Sequence, residues 1–213
     1  MAYVSQCFDE LRALLADPSD TKLSFDTKKL FLNRGIDRLW PRLWRVTETG
    51  YYLPAGERMV NLGGDDRRGR IIGVWAEHHT GQRYRIGRFD VIAGDEDQNA
   101  ALRLAWPVSA STAQTVYVRA AVPIVQIGAA SYVAAQSEVW TGPDKAIELP
   151  VFWAMGLAAM RRLDDRQAFS RYSTTRALNG VDDRDIVDAS AYWFSEFWRG
   201  VAELEVPLPP TTD

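Results

Sequence analysis

Apolar residues recur at helical spacing at both ends of this chain and alternate with polar ones through its middle. Val4, Phe8, Leu11, Leu14 and Leu15 set out a helix over residues 4–16. Asp17-Pro18 ends it, because a proline pushes the residue before it out of the helical region. After a polar linker with Ser19, Asp20 and Ser24, either Ser24 or Asp26 can cap a second helix whose buried stripe is Leu32, Ile36, Leu39 and Leu43. Pro41 removes a helical hydrogen bond and predicts a kink or a stop near Trp40, with Trp40 and Trp44 packing at the junction.

From Arg45 to about Val125 the period shortens to that of strands. The runs are Arg45–Thr47, Tyr51–Leu53, Arg58–Leu62, Arg70–Glu77, Arg83–Ile92, Leu102–Trp106 and Thr115–Val122. Gly50, Pro54-Ala55-Gly56, Gly63-Gly64, Thr80-Gly81-Gln82 and Gly94-Asp95 punctuate them as turns. Tyr84–Asp90 alternates strongly enough to imply one dry and one wet face. Small residues (Gly128, Ala129, Ala130, Ala134, Ala135) and a turn at Trp140–Pro143 follow. Pro150 then suits the first turn of a helix through Trp153, Leu157, Met160 and Arg161, where its missing N–H has no intrahelical partner to lose.

A polar stretch from Ser170 to Gly180 interrupts the pattern. The last helix opens on Asp182, Asp183 and Asp185, which complement its positive end, and carries Ile186, Ala189, Trp193, Phe197 and Val201 on one stripe. Tyr192, Phe194 and Trp198 widen that stripe beyond what a single neighbour can cover. The tail from Val206 to Thr211 is proline-rich and extended. The predicted fold class is therefore α+β. Residues 1–44 and 149–205 form a helical bundle, and residues 45–125 an inserted antiparallel β-sheet or sandwich. Residues 126–148 connect the two, and 206–213 are an extended C-terminal tail.

Composition narrows the function. No apolar run approaches the roughly 20 residues of a membrane span. The single cysteine, Cys7, cannot close an internal disulfide, which fits folding in a reducing cytoplasm. A net charge of −3, with the arginines of the middle matched by Asp65, Asp66, Asp90, Asp95, Glu96 and Asp97, leaves no electrostatic footprint for general nucleic-acid binding. His78 and His79 are neighbours in a strand pattern, so they point to opposite faces and chelate poorly. No serine sits in a nucleophile elbow, and no base is evident beside Cys7. Gly63–Gly69 lacks the Lys-Ser/Thr ending of a phosphate loop and reads as a hairpin tip. The acidic runs at 95–97 and 182–188 lack a calcium-loop frame. No enzyme, metal site or cofactor is expected. The chain does hold eight tryptophans, and Trp40, Trp44, Trp153, Trp193 and Trp198 are the candidate interface anchors, since buried aromatics dominate protein–protein contacts.

Two segments resemble the head-to-tail adaptor proteins of tailed bacteriophages, in particular the tail tubular type. One runs from Thr27–Ile36 through Leu39-Trp40 and Trp44 into a strand closing at Tyr52-Leu53-Pro54. The other is Glu148–Ala154, which opens a helix leading through Arg171–Asn179 to a long acidic-then-aromatic helix. The resemblance implies a virion structural protein of the neck, at the head–tail junction. It would be a dodecameric ring of identical subunits that binds the portal protein on one side and a tail or neck protein on the other. DNA would pass through without specific recognition. It also implies that Glu205, Val206, Pro207, Leu208, Pro209 and Pro210 dock on the portal. The alternatives are another neck protein such as a stopper, or a carbohydrate-binding β-sandwich displaying Trp75, Trp106 or Tyr84. An enzyme built on Asp90, Glu77 or His79 is the remotest reading.

Overall fold

The computed structural model describes residues 2–77, 81–94, 99–170 and 183–205. The fold is α+β, and the chain divides into two compact units: a helical one from Met1–Leu43 and Ile124–Glu205, and a β unit that includes Trp44–Pro123. The portal-docking candidates Val206, Pro207, Leu208, Pro209 and Pro210 lie outside the described residues, as do His78, His79, Asp95–Asp97 and Arg171–Asn179.

In the helical unit, α1 spans Ser5–Leu15 and buries Cys7, Phe8, Leu11 and Leu15. Leu14 is exposed, against expectation, because it falls on the flank of a stripe centred on Phe8, Leu11 and Leu15. The second helix, α2, spans Phe25–Leu39; the Ser24 hydroxyl accepts from the Thr27 N–H at 3.3 Å and so caps it. It stops at Leu39, with Trp40 extended and the Trp40–Pro41 peptide cis. Residues 126–148 pack within this unit: Ile127, Ala129, Ala135, Trp140 and Ala146 belong to the helical core. They include a short helix, α3, at Tyr132–Ala135, and an antiparallel bridge ties Tyr3 to Val139.

The long helices α4 (Leu149–Ser170) and α5 (Asp183–Leu204) pack against each other, and α4 also packs against α2 and α1. From Leu149 to Ala159 every side chain of α4 is buried or half-buried, as a helix at the centre of a bundle requires. On α5 the buried face is Ser190, Phe197 and Val201, and the Ser190 hydroxyl donates to the Gly156 carbonyl at 3.1 Å. Ala189, expected on that face, is exposed, because the seam is centred a third of a turn away from it. Gly35 lets α2 lie against α4: a Cβ there would stand 2.9 Å from Pro150 Cα and 3.0 Å from Trp153 Cβ.

The β unit holds two antiparallel sheets. The first has the order β1-β7-β3-β4, with β1 at Arg45–Leu53, β7 at Gln114–Val122, β3 at Arg70–Glu77 and β4 at Arg83–Arg85. The second has the order β2-β6-β5, with β2 at Met59–Asn61, β6 at Asn99–Leu104 and β5 at Phe89–Ala93. Leu53, Val60, Leu62, Val74, Leu102, Leu104, Val116 and Val118 form one core shared by both.

Three expectations change here. Gly50 is not a turn: it sits inside a continuous β1 opposite Tyr117, whose ring lies 3.4 Å from where a Cβ would stand. The run Arg83–Ile92 is not one strand, since the chain turns a corner at Ile86–Arg88 and passes from the edge of one sheet to the edge of the other. Gly63–Gly69 is not a hairpin tip either; it links β2 and β3, which lie in different sheets, through a 3-10 turn at Gly64–Arg67.

Gly35→Ala should destabilise the protein by about 1–3 kcal/mol, because backbone of α4 blocks the new methyl despite the better helix propensity of alanine. Gly63→Ala meets nothing within 4 Å and should stay within about 0.5 kcal/mol. Urea unfolding followed by helical ellipticity checks both.

Candidate assembly surfaces

The turn between α1 and α2 is built on a buried ion pair that the sequence did not announce. Lys28 and Asp17 are both fully buried, with Nζ to Oδ2 at 2.8 Å. Lys28 also reaches the Asp17 carbonyl at 3.2 Å and Asp20 at 2.6 Å, while Arg12 makes a two-pronged contact with Asp20. Asp17 accepts further from the backbone N–H groups of Thr21, Lys22 and Leu23. Burial opposes the charge on Asp17, but the Lys28 ammonium and these N–H donors outweigh it and hold the carboxyl well below the usual range. The four carboxylate oxygens of Asp17 and Asp20 and the Lys28 ammonium are all partnered, so the cluster fixes the exit of α1.

The tryptophans do not act as one group. Trp153 on α4 is half-buried and meets three rings of α5: Phe194 at 4.6 Å, Phe197 at 5.1 Å and Trp198 at 6.2 Å between centroids. Two guanidiniums from α2 and its end cover this seam, Arg38 over Trp153 and Arg42 over Trp198, each about 5.5 Å from the ring centre. Trp193 instead stacks on Phe152 at 5.9 Å. Trp40 and Trp44 are half-buried elsewhere.

Beside the buried seam, α5 leaves an apolar shoulder. Val187, Ala191, Phe194 and Trp198 follow one another at helical spacing; Phe194 is half-buried, but Val187 is 51% exposed and Trp198 40%. Phe194, Val187 and the arginines Arg38 and Arg42 are absent from the anchors read from sequence. The 187–191–194–198 spacing could have found the first two. The arginines depend on how α2 crosses α4, which no local pattern encodes.

In the β unit several polar groups are likewise engaged with one another, while Arg70 Nε and Gln114 Oε1 are buried without a partner among the described residues. The Tyr117 hydroxyl donates to Glu77 at 2.6 Å, which holds the phenol above its ordinary range; Arg83 lies 3.7 Å over the Tyr117 ring and pairs with Glu48. Buried Asp66 accepts from the hydroxyls of Thr47 and Tyr51, pinning the 3-10 turn along β1. Of the aromatics expected on a sugar-binding face, Trp106 is 70% exposed. Trp75 and Tyr84 pair with successive positions of the β3–β4 ladder, Arg85 and Ala76, and so point to opposite faces of the sheet. No coplanar platform forms from them.

Cys7 is buried, its thiol donates to the Ile147 carbonyl at 3.3 Å, and burial pushes its pKa up to about 12. Among the described residues no cluster of three histidine, cysteine or acidic side chains could hold a metal, and no helix is long and apolar enough to cross a membrane.

No protein-family model and no curated protein matches the sequence. Among solved structures, the chain is similar to one from the neck of an empty GTA particle computed with C6 symmetry, at 12% identity and a TM-score of 0.32, over 89% of this chain and 87% of that one.

Lys28→Met should lower thermal stability far more than Lys145→Met on the surface, since it leaves the Asp17 carboxylate buried without its cation. Because the folded-state pKa of Asp17 is depressed, its contribution is present at neutral pH and is lost as pH falls below the ordinary carboxylate range. Melting curves between about pH 7 and pH 2 should therefore fall less steeply for Asp17→Asn than for the wild type.

Proposed function

We propose that this chain is a structural subunit of a phage-type neck: a head-to-tail adaptor that assembles into a closed ring, dodecameric by the family resemblance, joining the portal to the tail. The observation that carries the reading is the α5 shoulder. Val187, Ala191 and Trp198 extend the packed seam of a central helix pair out to solvent, beside Arg42 and Arg38. Tryptophan and arginine are the residues that dominate interface energetics. A patch of this kind on one side of a subunit, meeting a different patch on the next, is the heterologous contact from which rings close.

A net charge of −3 gives DNA no reason to adhere as it passes. The chain is no enzyme in this account and needs no cofactor. The segment from Glu205 onward is the portal-docking element, in line with the resemblance, and a neck or tail protein binds on the opposite side.

The test is native mass spectrometry of the protein alone and mixed with the portal of its own particle. The expected result is a complex of one fixed stoichiometry on the portal. Deleting residues 205–213 should weaken docking, and Trp198→Ala should weaken each subunit–subunit contact by about 30-fold, the equivalent of a hot-spot loss of about 2 kcal/mol. A wild-type protein with no portal affinity would sink the adaptor reading.

A further inference from the structure

Among the described residues the two sheets of the β unit present four edge strands, and they are not alike. The edges β2 and β4 are three residues each, too short to template a partner. Along β1, the Tyr51 hydroxyl accepts from the Gly63 N–H at 3.1 Å, and Asp66 holds Thr47 and Tyr51, so the 62–67 segment lies beside that strand. The remaining edge, β5, is Phe89-Asp90-Val91-Ile92-Ala93, without lysine or proline, and Val91 and Ile92 are exposed.

Hydrogen-bond parity shows which backbone groups of β5 are free. On β6, Leu104 donates to Arg58 and Ala100 accepts from Leu62, so the even-numbered positions face β2. Ala105 donates to Arg88, and Asp90 and Ile92 stand opposite Arg103 and Ala101, so these positions are bonded across β5–β6. The N–H and C=O groups of Phe89, Val91 and Ala93 therefore point away from β6, and among the described residues no hydrogen bond reaches them. The register shift near the end of the strand skips a residue of β6, not of β5, so the alternation runs unbroken to Ala93.

We propose that β5 pairs antiparallel with β5 of a second copy of this chain, centred on Val91. That register joins the outward groups of Val91 to those of Val91 in the other copy, and sets Phe89 opposite Ala93 and Ala93 opposite Phe89, a large side chain against a small one each time. Every free donor along the strand meets a free acceptor. The two Asp90 carboxylates then lie diagonal to each other across the new ladder, roughly 7–8 Å apart. Pairing in this register is thus weakened by like charge and strengthened by salt, a signature that apolar contacts elsewhere on the chain do not share. An interface of one short strand pair is small, so the dimer is weak and concentration-dependent.

The test is hydrogen exchange of single amides by NMR on the full chain, from about 10 µM to about 1 mM, spanning the affinity expected of so small a contact. The expected result is an alternating pattern: the amides of Phe89, Val91 and Ala93 slow with concentration, while those of Asp90 and Ile92 are already protected. Asp90→Asn should shift the transition several-fold lower in concentration. Val91→Pro removes only an outward N–H, which an edge strand tolerates, and should abolish the effect. Val91→Lys, a natural edge blocker, should do the same if the proline variant unfolds. Exchange at 89, 91 and 93 that is unchanged across the range overturns the proposal, and so does slowing that persists in a folded Val91 variant. Neither outcome bears on portal binding.

Discussion

The antiparallel pairing of Arg45–Leu53 with Gln114–Val122 is the constraint on which the two-unit organisation rests. The chain leaves the helical unit after Leu43 and re-enters it at Ile124, so an inserted unit must bring its two ends together. Pairing Arg45 with Val122 does so within one strand spacing, about 5 Å. Because β7 also pairs with β3 and supplies Val116, Val118, Ala120 and Val122 to the core, closing the insertion and building its interior are one event. Arg45 adds a bond to the Pro123 carbonyl at 3.2 Å and an ion pair with Asp65 at the same place.

Within the helical unit, order comes from two unlike sources. The α2–α4–α5 packing is apolar and close, set by Gly35 against Pro150 and by Trp153 among Phe194, Phe197 and Trp198. The α1–α2 turn is polar and buried, set by Lys28 between Asp17 and Asp20. A buried ion pair adds little net stability over an apolar pair, but it tolerates no loss of one partner, so it fixes one geometry. A packed helix pair with one unburied shoulder would suit the proposed assembly role, because a preformed surface leaves binding little to order.

The fold was legible where periodicity reports burial directly. The helices at both ends and the strand-rich middle were readable because spacing, caps and breakers act within a few residues, and the cap of α2 was narrowed to Ser24 or Asp26, of which the structure uses Ser24. What was not readable depends on non-local partners. Gly50 looks like a turn until Tyr117 is placed across from it, and Tyr84–Asp90 looks like one strand until its halves are assigned to two sheets. Lys28 falls on the same stripe of the helical wheel as Leu32, Ile36 and Leu39, where a lysine is unexpected, and only the fold of the 17–23 turn brings Asp17 there to pair with it. Among the anchors, Trp153 and Trp198 meet in one seam while Trp193 turns to Phe152, a division that the aromatic spacing of α5 alone does not make.

The account stands or falls on where the protein resides in an assembled particle. Gold-labelled, tagged copies of the chain in purified particles, imaged by electron microscopy, locate it directly. The account predicts label confined to the junction between head and tail. Label on the capsid shell, along the tail or at its tip, or particles that contain none of the chain, would contradict it.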